Sequence, residues 1–414
     1  MLKIVQENRE DFIEMMKETI PYRSYACQEE SFAKYMLAKL QELPVDEAFI
    51  DGAGNVVAIL RGEGTGPNVI LNGHLDIVPE GNLENWAPYD PFEPNVVDGR
   101  LIGRGICDLK AGLVAQYYAF KAFAERAAKG QRPSGDITFT AVVQEEPAEM
   151  FGILYFFDYT MAEHDIKGDV VYLCEPTDGD LAIGQRGKIE LVVKTFGRTA
   201  HSSVPSEGIN AFQYMAPIVC DIFDHKGFNL KPDPELGETT ITVTNCTVKP
   251  GELSMIPDEC EISVDRRYSA EQTDEDLMAE FEAVFDHYKT AYPEFRATVE
   301  PRYFDETSWT GYKKRVKKIH PPWIVPRDNE FVVKTFEALR EIGQDPKEHY
   351  KKAGTDGGCT CAYHKIPTII YSHAPNAQAH QPKEYVVIDE MVQTYEGYIA
   401  ILAKVYGVAL EEFD

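Results

Sequence analysis

The amino-acid sequence predicts an α/β protein whose mixed sheet carries helices on both faces, with a smaller α+β domain inserted into it. Two observations lead to this fold class. Through the first 185 residues, short apolar runs bounded by Gly, Asn and Pro alternate with helical patterns. From Gly187 a compact strand and helix pattern follows, after which the first type of pattern returns. We therefore expect a discontinuous domain, 1–185 plus 303–414, interrupted by a domain at 186–302.

The expected elements follow in chain order. Helices are predicted at 1–20, 28–43 and Lys110–Lys129, and strands at Asn55–Arg61, Val69–Leu71, Ile137–Val143 and Val170–Leu173. The inserted domain has strands Ile189–Phe196, Thr239–Val248 and Cys260–Arg267, and helices 210–224 and Thr273–Tyr288. A loop-rich stretch at 301–327 then leads to helix Asn329–Ile342, strand Thr368–Tyr371 and a final helix at 389–405.

Charge and composition exclude several classes of protein. The 414 residues include 41 Lys and Arg against 68 Asp and Glu, a net charge of −27 that repels nucleic acids and anionic membranes. No apolar run reaches the ~18–20 residues of a membrane span, and the first turns carry acids, unlike a targeting peptide. The eight cysteines at irregular spacing fit free thiols. We expect a cytoplasmic protein that binds neither nucleic acid nor membrane.

Metal-type residues occur at five places, each at the end of a predicted strand or in a following loop. Ligands bind at such strand ends in α/β sheets. The five segments are Gly73–Asp76, Gly103–Gly112, Gln144–Pro147, Cys174–Thr177 and Ala379–Glu384. Each has a structural alternative when taken alone, such as a strand-end hydrogen bond, a helix N-cap at Asp108 or a solvated acidic loop. Together their imidazole and carboxylate groups suit a two-metal hydrolytic site with a bridging carboxylate.

The motifs GHLDIVP, GRGICDLKAG, EEP, CEPT and AHQPKEY, in this order, closely resemble the co-catalytic zinc aminopeptidase/deacylase family. That family includes aminoacylase, carboxypeptidase G, acetylornithine deacetylase and succinyl-diaminopimelate desuccinylase. GRTAHSSVPSEGINA and SVDRRYSAEQT look like the signatures of its lid domain. The resemblance covers roughly residues 10–405 and implies a two-metal catalytic domain with an inserted lid and dimerisation domain.

Carried over to this sequence, the resemblance implies a role for each matching residue. His74 and Glu175 would complete one metal site, Glu146 and His380 the other, and Asp108 would bridge both. The implied ions are two divalent cations, Zn²⁺ first, with Co²⁺ or Mn²⁺ possible. A cis peptide bond between Asp108 and Leu109 is also expected.

The remaining implied roles concern catalysis and the substrate. Asp76 would orient His74, and Glu145 would be the general base and later the acid. His201, from the lid, would stabilise the oxyanion, and in a homodimer formed through the lid it could serve the neighbouring subunit's site. The resemblance assigns the substrate carboxylate to Arg267, with Arg266 an alternative, and to the loop that contains Thr355, Asp356 and Gly357.

Three departures from the family pattern stand out. Gln144 replaces the usual Asp, Ser254 replaces an Asn of the lid, and the 301–327 segment looks like an insertion that resembles an uncharacterised bacterial branch. Six histidines outside the motifs, His320 among them, are expected at the surface or on helices.

We therefore predict a metal-dependent amidohydrolase or metallopeptidase that cleaves an amide or peptide bond of a small carboxylate-bearing substrate, a dipeptide or N-acyl amino acid. An N-carbamoyl or ureido amidohydrolase shares the same chemistry and remains an alternative. A catalytically silent binding protein is a further alternative, against which the complete ligand set and Glu145 count.

Overall fold

The computed structural model describes residues 1–147 and 150–413. Its α-helices are α1 (Lys3–Glu7), α2 (Arg9–Thr19), α3 (Glu30–Gln41), α4 (Ala111–Ala128), α5 (Phe151–Tyr155), α6 (Met161–Glu163), α7 (Ala211–Phe223), α8 (Asp274–Ala291), α9 (Glu330–Glu341) and α10 (Ile388–Tyr406). The first strands are β1 (Glu47–Ile50), β2 (Val56–Leu60), β3 (Val69–His74), β4 (Asn95–Val97), β5 (Arg100–Ile102), β6 (Ile137–Val142), β7 (Val170–Leu173), β8 (Leu181–Gln185), β9 (Gly187–Phe196) and β10 (Thr240–Lys249). The later strands are β11 (Glu259–Tyr268), β12 (Arg296–Pro301), β13 (Tyr303–Thr307), β14 (Lys313–Lys317), β15 (Ile319–His320), β16 (Trp323–Ile324), β17 (Glu348–Lys351), β18 (Thr368–Tyr371) and β19 (Tyr385–Val387).

A large mixed sheet forms the centre of the molecule, which confirms the predicted fold class. Its strand order is β1-β2-β6-β3-β7-β18-β8-β16, with β17 beside β8. The middle strands β6, β3, β7 and β18 run parallel to one another, whereas β1 and β2 are antiparallel to their neighbours. Strand β8 is antiparallel to β18 and β16 but parallel to β17. Every residue of β3, β6, β7 and β18 is buried, and β3 continues three residues past the predicted apolar run Val69–Leu71.

A second sheet has the order β10-β11-β9-β12, and β15 adds to β9. Helices α7 and α8 contribute to a separate apolar core with this sheet, which includes Val193, Ile262, Met215 and Phe281. The large sheet's β8 ends at Gln185 and β9 of the second sheet begins at Gly187. The division into 1–185 plus 303–414 and 186–302 remains our proposal.

The segment 301–327 differs from the loop-rich stretch that we predicted. It contains the hairpin β13–β14, in which Tyr303 pairs with Lys317 and Thr307 with Lys313. It also contains β15 and β16, which pair with β9 of the second sheet and β8 of the large sheet. The prediction was wrong because the lysine-rich strand β14 lacks an apolar run and obtains its order from pairing with β13.

The parallel strands of the large sheet place three of the five metal-type segments directly. His74 is the last residue of β3, the 144–147 loop follows β6, and Glu175 follows β7. Asp108 lies in a tight turn, Ile106–Lys110, that leads into α4. Because parallel strands point the same way, their following loops meet at one edge of the sheet. Within residues 1–147 and 150–413, no helix is both long and apolar enough to cross a membrane.

Candidate metal centre and active site

His74 lies buried at the end of β3 with its two ring nitrogens in different surroundings. Nδ1 is 2.9 Å from the carbonyl oxygen of Asp76, which favours the tautomer with the proton on Nδ1. Nε2 lies 3.2 Å from Asp108 Oδ1 and 3.8 Å from Glu175 Oε1. The geometry leaves Nε2 available as a metal ligand that faces two carboxylates.

Asp76 holds two parts of the site in place. Its carbonyl oxygen contacts His74, and its carboxylate oxygens accept the backbone N–H groups of Glu145 and Glu146, each at 3.0 Å. The carboxylate itself is 3.7 Å from His74 Nδ1. Asp76 therefore contacts His74 chiefly through its backbone, while its side chain fixes the loop that carries the two glutamates.

Asp108 lies between the two histidines. Its Oδ1 is 3.2 Å from His74 Nε2 and its Oδ2 is 3.3 Å from His380 Nε2. Burial acts to raise the pKa of Asp108, but the bonds with His380 and His74 hold it well below its ordinary value. Helix α4 has Lys110 in its N-cap position, so the structure does not support the capping alternative for Asp108. The peptide bond between Asp108 and Leu109 is cis, which confirms that expectation.

His380 and Glu146 form the other end of the cluster. His380 Nε2 lies 3.0 Å from the Glu146 carboxylate, and its side chain is half exposed. The hydrogen bond with Asp108, then that with Glu146, raises the pKa of His380 to about 10. This imidazole stands at the open side of the site.

The carboxylates of the site are crowded and buried. Burial, then the charge of Asp108, raises the pKa of Glu175 to about 8. Burial, then the charge of Glu175, raises the pKa of Glu145 well above its ordinary value, and burial likewise raises that of Glu146. Closely spaced carboxylates of this kind need cations or protons to share the space.

The side chains present fit divalent metal ions. Ligand atoms of His74, Asp108 and Glu146 lie within 4.8 Å of one another, and so do those of His74, Glu145 and Glu175. Imidazole nitrogen and carboxylate oxygen are the ligands that zinc, cobalt and manganese accept. The structure thus brings all five expected ligands and Glu145 into one cluster.

His201 lies elsewhere in the structure. It is exposed in the part of the chain that carries the second sheet, where its Nδ1 is 2.8 Å from Ser203 Oγ and its backbone bridges to Met255. Among the hydrogen bonds and ion pairs of the described residues, none joins His201 to the metal-type cluster.

The two arginines at the end of β11 have different surroundings. Arg266 is fully buried, donates to the carbonyls of Thr240 and Asn229, and lies 3.5 Å from Glu280. Arg267 is partly exposed and pairs with Asp265 at 2.7 Å. Of the two, Arg267 is the one that a ligand could reach.

The expected substrate loop is engaged within the protein. The Thr355 hydroxyl donates to Gln185 Oε1 at 2.6 Å, and Asp356 Oδ2 accepts from Asn72 at 2.8 Å. Burial raises the pKa of Asp356 to about 6. The backbone N–H of Gly357 donates to Thr355 Oγ1 at 3.1 Å.

The sequence analysis assigned no functional role to two further residues of the site. Glu384, fully buried with its pKa raised to about 7 chiefly by burial, forms an ion pair with Arg104 and accepts the backbone N–H of Cys107 at 2.9 Å. Both partners lie inside the motifs that were recognised. His320 is also buried, and its Nε2 is 4.0 Å from Glu145 Oε1, so the expectation of a surface or helical position was wrong. No local pattern in the sequence indicates this burial.

Fold and site together define a metal-dependent hydrolase. Residues 70–404 match the model of peptidase family M20/M25/M40, and the chain belongs to this family.

Individual proteins show the same relationship. The Escherichia coli K12 protein YgeY, described as uncharacterised, is 27% identical over 405 residues, 97% of this chain and 96% of its own. Succinyl-diaminopimelate desuccinylase of Psychrobacter arcticus is 25% identical over 345 residues, 81% of this chain and 78% of its own. The Bacillus subtilis YXEP protein, described as a dinuclear metal binding peptidase of the M20 family, shares the fold with a TM-score of 0.68 and 15% identity, covering 98% of this chain and 100% of its own.

Proposed function

We propose that this chain is a two-metal amide hydrolase that acts on a small substrate with a free carboxylate, either a dipeptide or an N-acyl amino acid. One observation carries the proposal: the two carboxylate oxygens of Asp108 face two different histidines, at 3.2 and 3.3 Å. A carboxylate in this position can bridge two cations. The desuccinylase relative cleaves, by its name, a succinyl group from an amine, and the YXEP title describes a dinuclear peptidase.

We assign the residues to two ion sites that share Asp108. His74 and Glu175 complete one, and Glu146 and His380 complete the other. The donor set suits Zn²⁺, with Co²⁺ or Mn²⁺ as alternatives. Two such ions, when bound, supply Lewis-acid polarisation of the substrate carbonyl and lower the pKa of water.

Glu145 is the proposed proton carrier. The backbone N–H of Glu145 donates to the Asp76 carboxylate, which fixes the position of the Glu145 backbone. Burial holds the pKa of the Glu145 carboxyl group well above its ordinary value. A carboxylate of raised basicity can take a proton from the attacking water and then deliver it to the leaving amine. The net change is addition of water across the amide bond, which yields a carboxylate and an amine.

His201 is proposed to complete the site from a second subunit. Strand β10 forms an edge of the second sheet, and eight of its ten residues are exposed. Natural proteins avoid leaving a long flat edge unpaired. A homodimer that covers this edge is therefore proposed, and the exposed imidazole of His201 can then stabilise the oxyanion in the partner's site.

Arg267 is the proposed contact for the substrate carboxylate, since Arg266 is buried and its guanidinium is bound by backbone carbonyls. The Thr355–Gly357 loop is proposed as a wall of the substrate pocket. An ionised Asp356 would repel a substrate carboxylate, so the loop would shape the pocket rather than bind the anion. We also propose a cytoplasmic location, which the eight free cysteines support.

A substrate screen tests the proposal. Protein loaded with Zn²⁺, Co²⁺ or Mn²⁺ is incubated with dipeptides, N-acyl amino acids and N-carbamoyl amino acids, and amine release is measured. Turnover of the first two classes supports the proposal, and exclusive turnover of N-carbamoyl amino acids would replace it by a ureido amidohydrolase. Bound metal with no turnover of any class would favour a binding protein. Glu145→Gln, loaded with the same metal, controls for contaminating activity.

A further inference from the structure

The 144–147 loop, which carries the proposed base, is held by a segment outside the recognised motifs. Gln144, in a left-handed conformation with φ of 52°, donates its side-chain amide to the carbonyl of Thr307 at 3.0 Å. At the other end of the loop, Lys318 Nζ donates to the carbonyl of Pro147 at 2.5 Å. Both contacts come from residues 303–320, which we call the hairpin segment. An Asp at position 144 could not donate to Thr307, so the Gln at this position matches the presence of the hairpin segment.

His320 ends the hairpin segment and contacts the base itself. The ring is 4% exposed, and Nε2 lies 4.0 Å from Glu145 Oε1. On its other side the ring packs against Gly354, where a Cβ atom would lie 2.1 Å from His320 Nδ1. The lack of a side chain at Gly354 therefore creates the space in which the imidazole reaches Glu145.

The hairpin segment is itself fixed to both sheets. Thr310 Oγ1 donates at 2.7 Å to the carbonyl of Gly52, which closely follows β1 of the large sheet, and Lys314 pairs at 2.7 Å with Asp158, which lies between α5 and α6. At its end, β15 pairs with β9 of the second sheet. The loop of the base is thus supported by an element that connects the two sheets.

We propose that the hairpin segment positions the general base and that His320 is the positioning residue that acts on Glu145. The inference rests on the proposed function, because it assumes that Glu145 carries the proton. Regular strand bonding ends at Val142, so the orientation of the 144–147 loop depends on such outside contacts. A displacement of about 1 Å in a reacting group can lower the rate ~10²-fold. An imidazole beside Glu145 also offers a second nitrogen, besides that of His74, to a carboxyl group that is crowded by other acids.

The test is a set of substitutions measured on the metal-loaded enzyme. His320→Ala should lower kcat by ~10–100-fold with KM and metal content unchanged, because only the orientation of the Glu145 carboxylate changes. His320→Gln, which keeps an N–H group near the same place, should recover part of the loss. Lys313→Met is the matched control, since this lysine lies on the same strand β14 but is exposed to solvent. Its kcat should stay at the wild-type level, whereas Lys318→Met should lower kcat.

A double-mutant comparison separates positioning from a general structural effect. In a Glu145→Gln background, His320→Ala should cause no further fall in the residual rate. Wild-type kcat in His320→Ala, or the same fold-loss in both backgrounds, would overturn the inference. If His320→Ala does not fold, His320→Gln and Lys318→Met decide, because wild-type kcat in both would also overturn it. Full turnover in Glu145→Gln would instead refute the proposed function.

Discussion

Removal of the metal ions should make the folded protein less stable as the pH rises from 5.5 to 8. The cause is the buried carboxyl groups, of which Glu175 has its pKa raised from 4.5 to about 8 by burial and then by Asp108. Because the folded-state pKa lies above the unfolded value, the folded form retains its proton to higher pH. The stabilising contribution of Glu175 is therefore complete below pH 4.5 and is lost progressively between pH 4.5 and 8. His380, with its pKa raised from 6.5 to about 10, acts in the same direction, because its stabilising contribution is lost progressively as the pH rises above 6.5. Asp108 has a lowered pKa, so its contribution is already present throughout this range.

The size of the effect follows from the pKa of Glu175. A change of one in a pKa corresponds to about 1.4 kcal/mol, so this group alone lowers the free energy of unfolding by on the order of 3 kcal/mol between pH 5.5 and 8. For a protein of this size that is roughly 3–5 °C in the unfolding midpoint. Bound ions keep the carboxylates ionised and the imidazoles neutral, which removes this dependence. Each ion at a hundred times its Kd also adds about 2.7 kcal/mol.

Thermal unfolding at pH 5.5, 7 and 8 provides the assay, with the protein either treated with a chelator or saturated with Zn²⁺. The midpoint of the metal-free protein should fall with pH, while that of the loaded protein should change much less. Metal-free Glu175→Gln, which cannot ionise at this position, serves as the matched control and should show a weaker dependence. Parallel curves for metal-free and loaded wild-type protein would show that the cluster does not hold metal ions.

The other predictions concern catalysis, metal content and assembly. Glu145→Gln should keep the fold and two ions per chain and lower kcat by ~10²–10⁴-fold; turnover close to wild type would remove Glu145 as base. His201→Ala should lower kcat by ~10²–10³-fold at unchanged KM, and mixing it with Glu145→Gln should restore activity if subunits share sites. Asp108→Asn should reduce the bound metal measured by elemental analysis, and an unchanged stoichiometry would argue against a bridging role. Val248→Lys, on the β10 edge, should convert the expected dimer to monomers in sedimentation experiments.

The strands that carry the site could be predicted closely from the sequence. Val170–Leu173 and Thr368–Tyr371 have the predicted bounds, because buried parallel strands are apolar throughout and end where polar residues begin. The ligands that follow β3, β6 and β7 could therefore be expected at one edge of the sheet. Their five motifs in order were sufficient to suggest which side chains would meet.

Features that depend on distant residues could not be predicted. The burial of His320 requires the small residue Gly354, and neither position carries a local signal of the other. Arg266 and Arg267 are neighbours in a strand, so their side chains point to opposite faces, but only the pairing of β11 in its sheet decides which one is buried. The lysine-rich β14 has the composition of a solvated loop, and its strand character depends on β13.

The metal site combines side chains from widely separated segments, yet buried acids outside the proposed ligand set connect these segments directly. The Asp76 carboxylate accepts backbone N–H groups of the 144–147 loop, and Glu384 accepts the backbone N–H of Cys107, next to Asp108. Each acid lies in a different motif from the loop that it holds. Hydrogen bonds of this kind fix the backbone of the residues that carry or adjoin the metal ligands, so the ligand side chains are oriented before an ion binds. Loss of Glu384 should therefore weaken metal binding even though its carboxylate is not among the proposed ligands.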